Sequence, residues 1–375
     1  MELTAGPAAL ETGARLMIDL SALAANWQAL SRRAAPAECA AVVKADAYGL
    51  GIAPAGRALW DAGARTFFVA HLTEARALRA VLPAATIYVL GGLNPGSAPL
   101  YREIEARPVL GSMEEIAEWA DAARGICAGC KAAVHIDTGM NRLGLSLEEA
   151  REIAARLASG ELGFTPCLVM SHLACADVPG HPLTAQQLAR FREMVALFPG
   201  IPASLANSAA TLEGGDFRFD LCRPGIALYG GAARNSEPET APVVRLEARV
   251  IQVRDSAAGE TVGYGATQTL TRPSKIAVLS LGYADGILRT ASSSDAHPGA
   301  SVMMNGTRYP LVGRISMDLV AVDVTGANPE VQRGDRAVLL GDGVGVDELA
   351  RHAGTIGYEV LTSMGQRYQR VYLSK

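Results

Sequence analysis

The chain has 375 residues, 49% hydrophobic and 19% charged, a length that suits two or three domains or one large barrel with a companion. Its 34 basic and 38 acidic residues leave a net charge of -4, so there is no positive field to hold a nucleic-acid backbone or an anionic membrane surface. The opening MELTAGPAALETG has neither a basic nor an apolar leader and no run of roughly 18 apolar residues occurs, so a soluble, cytoplasmic protein is expected. Only four of the basic residues are lysines (Lys44, Lys131, Lys275, Lys375) against thirty arginines. Genomic base composition accounts for such a bias, and it makes each remaining lysine worth inspecting. Cys127 and Cys130 form a lone C-x-x-C with no second pair or nearby His, which is expected to be a chance spacing with no metal.

From about residue 39 to residue 225, short apolar or β-branched runs alternate with amphipathic stretches, the pattern of βα units and a parallel sheet. Eight strands are predicted. They are CAAVVK ending at Lys44, TFFVA at 66–70, TIYVL at 86–90, RPVL at 107–110, KAAVHI ending at Ile136, PCLVMS ending at Ser171, ASLAN ending at Asn207 and FDLCR ending at Arg223. Ser146 with Glu149 and Thr184 with Gln187 have capping-box spacing and predict helix starts. Alanine, a helix former, supplies 51 of the first 240 residues but 15 of the last 135. The later part turns instead to valine-rich runs (VVRLEARVIQV, KIAVLSL, LVAVDV, DRAVLL) separated by Gly, Asp and Asn turns. The expected fold is α/β: a (β/α)8 TIM barrel over residues 15–240, then a mostly antiparallel β domain over residues 241–375, with segment 1–20 packed on the latter. The alternative, an open doubly wound sheet, lacks its G-x-G-x-x-G after the first strand.

In a TIM barrel the active site lies at the carboxyl ends of the strands, so the polar residues closing each apolar run are the candidates. They are Lys44 with Tyr48 four residues later, His135, Asp137 and Arg142 in HIDTGMNRLG, His172, Asn207 with Ser208, and Arg223 before Pro224, Gly225 and Ile226. Lys44 follows small apolar residues and would point into the barrel mouth, where desolvation lowers a lysine pKa. Taken singly, His135 and His172 read as buried structural histidines, Arg223 as a clamp on carbonyls and Ser208 as a helix cap. The loops after strands seven and eight are, however, the usual phosphate site of this fold. One lysine at the mouth, a phosphate cradle and a second arginine together point to pyridoxal phosphate held on the lysine as a Schiff base.

The motifs AVVKADAYGLG, HIDTGMNRLG, SHLACAD, ANSAA, CRPGIALYG, VGYGAT, LGYADG, GRISMD and IGYEVLT run through nearly the whole chain. In these motifs and their order it resembles the alanine racemase family. The resemblance implies a pyridoxal-phosphate isomerase that interconverts L- and D-alanine with two acid/base groups, Lys44 and Tyr264. It implies that Lys44 carries the cofactor and that Tyr48, Ser208, Gly225, Ile226 and Tyr358 contact its phosphate, with Asn207 also in the cofactor site. Arg223 would bond the pyridine nitrogen and His172 would lie by the ring, linking Arg223 toward Tyr264. Arg142 would meet the phenolic oxygen and the substrate carboxylate. Tyr264, Tyr283 and Met317, with Asp318 near Arg142, would reach the site of a partner subunit, so the active unit is a head-to-tail homodimer. A role in supplying D-alanine for peptidoglycan is also implied.

Two positions depart from the family pattern. Many members carry a lysine, often carboxylated, where this chain has His135, so Arg142 must be oriented by Asp318, Asn141 or a bound anion instead. Asp46 stands where the family often has Asn. Among rivals, a basic-amino-acid decarboxylase of similar architecture uses an acidic partner at the pyridine nitrogen and a cysteine from the second subunit, where this chain offers Arg223 and Tyr264. A broader-specificity or serine racemase is the nearer alternative. A cofactor carrier would need no residues 241–375.

Overall fold

A computed structural model describes residues 2–6, 8–236 and 238–374. All eight predicted parallel strands are present. The first runs through Glu38–Cys39 and Ala41–Val42, and it is followed by Thr66–Val69, Thr86–Val89, Arg107–Leu110, Ala133–His135, Leu168–Met170, Ala203–Ser204 and Leu221–Cys222. Neighbours pair in parallel from the first to the seventh. The ring closes where Leu221 and Cys222 pair with Glu38 and Cys39, and where the N–H groups of Asp220 and Arg223 reach Ala203 O (3.0 Å) and Ala206 O (2.9 Å). Helices cover the outside of the ring, so most strand residues are buried on both faces, which is why the strands read as continuous rather than alternating apolar runs.

The helix Leu147–Ala158 starts as its capping box predicts, with Ser146 Oγ accepting from Glu149 N and the Glu149 carboxylate accepting from Ser146 N (2.8 Å). The prediction at Thr184 and Gln187 is corrected. That helix spans Pro182–Val195 with His181 as its cap, Nδ1 accepting from Leu183 N (3.2 Å). Proline suits the first helical position because its φ is preset and it has no N–H to leave unsatisfied. Thr184 and Gln187 therefore fall inside the helix, and the buried Gln187 amide is used at the barrel mouth.

The later strands Val244–Ser256, Ser274–Leu279, Ser301–Met304, Thr307–Pro310, Val320–Asp323 and Arg336–Leu340 pair antiparallel. Glu2–Ala5, Ala14–Asp19 and Gln369–Leu373 complete the same nine-stranded sheet, the last two as a parallel pair. Near the centre of this sheet Glu247 is buried among Arg15 (2.6 Å), Arg245 (2.6 Å) and Arg336 (3.9 Å). Burial pushes its carboxyl pKa up, but hydrogen bonds from Arg15 and Arg245 outweigh this and hold it below the ordinary range. Cys127 and Cys130 are free thiols between the helix Met113–Ala123 and the fifth barrel strand. Among the described residues no cluster of His, Cys, Asp or Glu is arranged to hold a metal, and no helix is long and apolar enough to cross a membrane.

Candidate active site

At the carboxyl ends of the strands a cavity of about 270 Å³ brings together Lys44, Tyr48, His135, Arg142, His172, Asn207, Ser208, Arg223, Gly225, Ile226 and Tyr358. Lys44, Arg142 and Arg223 give it three cationic side chains, and among the described residues no carboxylate lines it. It is built to receive an anion.

Lys44 follows the first strand directly and opens a turn in which Ala45, Asp46, Ala47 and Tyr48 all have φ between 53° and 55°. For residues with a Cβ the left-handed helical conformation costs roughly 1–2 kcal/mol each, so the turn must be held from outside. Ala47 N donates to Val43 O (2.9 Å) and Gly49 N to Ala45 O (2.7 Å), while the Asp46 carboxylate accepts from Ile52 N (2.7 Å). Glu74 Oε1 accepts from Ala45 N (2.6 Å) and Asp46 N (3.3 Å). At the end of the turn the Tyr48 ring stacks on Tyr229, centroids 4.5 Å apart. Burial, and then the positive charge of Arg142, pull the Lys44 amine below its ordinary pKa, with Glu74 acting in the opposite sense.

On the adjoining side of the mouth, where the eighth strand pairs with the first, Ser208 Oγ accepts from Gly225 N (2.8 Å) and Ala227 N (3.3 Å), tying the loops after the seventh and eighth strands together. A Cβ at Gly225 would stand 2.2 Å from Tyr48 Oη, so glycine is required for the tyrosine to close over this cradle. Asn207 caps the following short helix through its Oδ1, which accepts from Ala210 N (3.1 Å). Arg223 is 5% exposed, donates to Ser171 O (2.6 Å) and to Ser204 Oγ, and makes no ion pair among the described residues. Burial draws its pKa down to about 10, so it stays protonated at neutral pH. Burial and then the charge of Arg223 push His172 far below its usual pKa and His135 to about 4, with Arg142 adding to both, so both imidazoles are neutral.

Arg142 sits on a loop that leaves and rejoins the fifth strand through an Ile136–Leu145 bridge. The Asp137 carboxylate accepts from the N–H groups of Gly139 (2.9 Å), Met140 (2.9 Å) and Asn141 (3.0 Å), which fixes the loop's shape. Gln187 ties it to the sixth strand, donating to Thr138 Oγ1 (3.2 Å) and His172 O (2.9 Å) and accepting from Ala174 N (2.8 Å).

Tyr264, Tyr283, Met317 and Asp318 do not line this cavity. They flank one segment of the β region instead. The glycines beside Tyr264 lie against Arg314, and Tyr283 N donates to Ser316 O (3.0 Å). Asp318 pairs with Arg367 (2.9 Å) rather than with Arg142 of its own chain. Tyr264 is 69% exposed, Met317 52% and Tyr283 40%, large surfaces for apolar side chains. Sequence reasoning missed Glu74, Gln187 and His71, the last of which also lines the cavity. For Glu74 the signal was present, since H-L-T-E has capping-box spacing.

A TIM barrel with one lysine at its mouth, a cationic lining and a serine-amide cradle defines a barrel enzyme of the kind that holds a phosphorylated cofactor on a lysine. The alanine racemase N-terminal domain model matches residues 18–233 and the alanine racemase C-terminal domain model residues 243–372. An alanine racemase of Methylobacterium nodulans is 56% identical over 96% of both chains, and one from another Methylobacterium species is 54% identical over 96% of this chain and 98% of that one. The crystal structure of alanine racemase from Bartonella henselae with covalently bound pyridoxal phosphate superposes with a TM-score of 0.91 at 39% identity, covering 98% of this chain and all of that one. The chain belongs to the alanine racemase family.

Proposed function

We propose that this protein interconverts L- and D-alanine with pyridoxal phosphate on Lys44, acting as a homodimer whose two-base site draws Tyr264 from the second copy. The observation that carries this reading is the barrel-mouth cavity itself, lined among the described residues by Arg142, Arg223 and a single lysine, with no acid. It suits a group bearing a phosphate and an aldehyde, together with a substrate bearing a carboxylate. The buried, acid-free charge of Arg223 and the amide cradle at Gly225 suit the chemistry of that cofactor. When bound, pyridoxal phosphate draws electrons away from the substrate Cα and makes its proton removable.

Racemisation removes that proton on one face and returns one on the other, so two groups must flank Cα. Lys44 serves one face, burial and the charge of Arg142 shifting its amine toward the neutral, basic form. Tyr264 of the partner subunit serves the other. Arg142 holds the substrate carboxylate. Ser208 and the amides of Gly225 and Ile226 hold the phosphate, with Tyr48 and Tyr358 closing over it and Asn207 shaping the cradle. Arg223 hydrogen-bonds the pyridine nitrogen without surrendering its proton. His172, held neutral beside it, packs by the ring and supplies polar continuity toward Tyr264 without adding charge.

The exposed Tyr264, Tyr283, Met317 and Asp318 form the face that meets the second subunit. Tyr283 and Met317 line its substrate pocket, and Tyr283 and Tyr358 narrow the entrance. The chain divides near residue 240 into a cofactor-binding barrel over 15–240 and a β domain over 241–375, and the enzyme works in the cytoplasm. His135, with no carboxylated lysine at its position, supports Arg142 from beneath, and Asp318 of the partner subunit completes that support. Borohydride reduction of the yellow holoenzyme followed by peptide mass mapping tests the reading. It predicts a stable phosphopyridoxyl adduct on Lys44, and a label on another residue overturns it.

A further inference from the structure

Three glutamates near the barrel mouth hold the same place in their βα units, the third residue of the helix after a strand. They are Glu74 in Leu72–Val81, Glu115 in Met113–Ala123 and Glu149 in Leu147–Ala158. Glu149 turns back on its own cap. The other two also reach across to the preceding loop. Glu115 accepts from Gly111 N (2.6 Å) at the end of its own strand and from Leu93 N (2.7 Å) in the neighbouring loop. Glu74 Oε2 accepts from Ala70 N (2.7 Å) and His71 N (3.2 Å), and its Oε1 accepts from the amides of Ala45 and Asp46. That second pair opens the left-handed turn that begins beside Lys44.

We propose that Glu74 is a positioning residue for Lys44: by buckling the strained turn to the end of the second barrel strand it fixes where the lysine amine stands in the mouth. Four donors converge on this side chain, and among neutral or shorter alternatives none serves them all. Glutamine has one acceptor oxygen, and aspartate lacks the methylene that spans the two loops. Left-handed residues with side chains persist only where their surroundings over-determine them, and the amides of Ala45 and Asp46 are the turn's first two donors. Losing their acceptor lets the turn relax toward a commoner backbone conformation and rotates the residue before it.

This inference rests on the reading that Lys44 bears the cofactor. Its test compares the holoenzymes of Glu74→Gln and Glu115→Gln, the second removing an equivalent buckle whose far loop holds no lysine. The measurements are kcat and KM for both alanine enantiomers, the visible circular dichroism of bound pyridoxal phosphate, and the extent of borohydride labelling at Lys44. Glu74→Gln is expected to lower kcat about 10- to 100-fold with KM within about threefold and to change the visible dichroism, while Glu115→Gln leaves both near the unmodified values. A Glu74→Gln enzyme with unchanged kcat and dichroism overturns the proposal, as do equal effects from the two variants, which would make Glu74 merely structural. If Glu74→Gln fails to fold, Glu74→Asp carries the same comparison, since it keeps the charge and loses the span. Labelled Lys44 with an indifferent Glu74→Gln sinks this inference alone; absence of label on Lys44 in the unmodified enzyme sinks both readings.

Discussion

Lysine and arginine differ most where a side chain must form an imine, and in the proposed reading the cavity uses each for what the other cannot do. Lys44 stands at the mouth, whereas Lys275 is spent on a surface pair with Glu330 (2.6 Å) and Lys375 lies outside the described residues. In the proposed reading Arg223, which keeps its proton even when buried, would limit how far the pyridine ring accepts electrons. Replacing it with an acid, Arg223→Glu, is expected to raise transamination or decarboxylation relative to racemisation. Chromatography of the products from prolonged incubation with alanine checks this, and an unchanged product distribution counts against it. The neutral His135 makes a separate prediction. Its folded pKa, about 4, lies below the unfolded value of 6.5, so between these pH values the unfolded chain binds the extra proton. Stability contributed by this group is therefore intact above pH 6.5 and is lost as pH falls toward 4, by about 3 kcal/mol in all. Urea unfolding at pH 7 and pH 5 should show a smaller pH dependence in His135→Asn than in the unmodified protein.

Each barrel strand was legible as a short apolar run; those ending at Lys44, Ser171, Asn207 and Arg223 close on a polar side chain, whereas those ending at Ala70, Leu90 and Leu110 do not. The caps were less legible. Thr184 and Gln187 matched a helix start by spacing, yet His181 and Pro182 begin the helix earlier and leave Gln187 free to bind Thr138 and His172. The left-handed turn after Lys44 was not legible at all. Ala-Asp-Ala-Tyr contains no glycine or asparagine and reads as ordinary right-handed helix, and the contacts that hold it otherwise include a carboxylate 29 residues away from Ala45 and a ring at Tyr229. Glu247 illustrates the same limit in the β region, where a charged residue within a valine-rich run gave no hint of the three arginines around it. Glu247→Ala leaves those partly exposed guanidinium groups facing one another, with Arg245 keeping Asp342 as a partner, and is expected to destabilise the fold by about 1.5–3 kcal/mol, the size of lost hydrogen bonds to a charged group. A change of less than about 1 kcal/mol in denaturant unfolding, the size of an exposed pair, would show the cluster to be inconsequential.

At the scale of the molecule, the barrel supplies the cavity that holds Lys44, the first proposed base, and Tyr264, the second, lies on an exposed face of the β region. The motifs of both halves were visible in the sequence, whereas their meeting between two copies was implied by the family resemblance alone, because such contacts leave no periodicity in one chain. If each site draws Lys44 from one subunit and Tyr264 from the other, mixing Lys44→Ala and Tyr264→Phe chains rebuilds one intact site per hybrid dimer. A statistical mixture should then recover about a quarter of the unmodified activity, while sites made within one chain recover none. The most direct measurement is Cα proton exchange in D2O, followed by NMR across a panel of amino acids. L- and D-alanine should each lose the Cα proton and converge on a racemic mixture, with no exchange by Lys44→Arg. Rapid exchange of lysine or arginine with none of alanine would contradict the account.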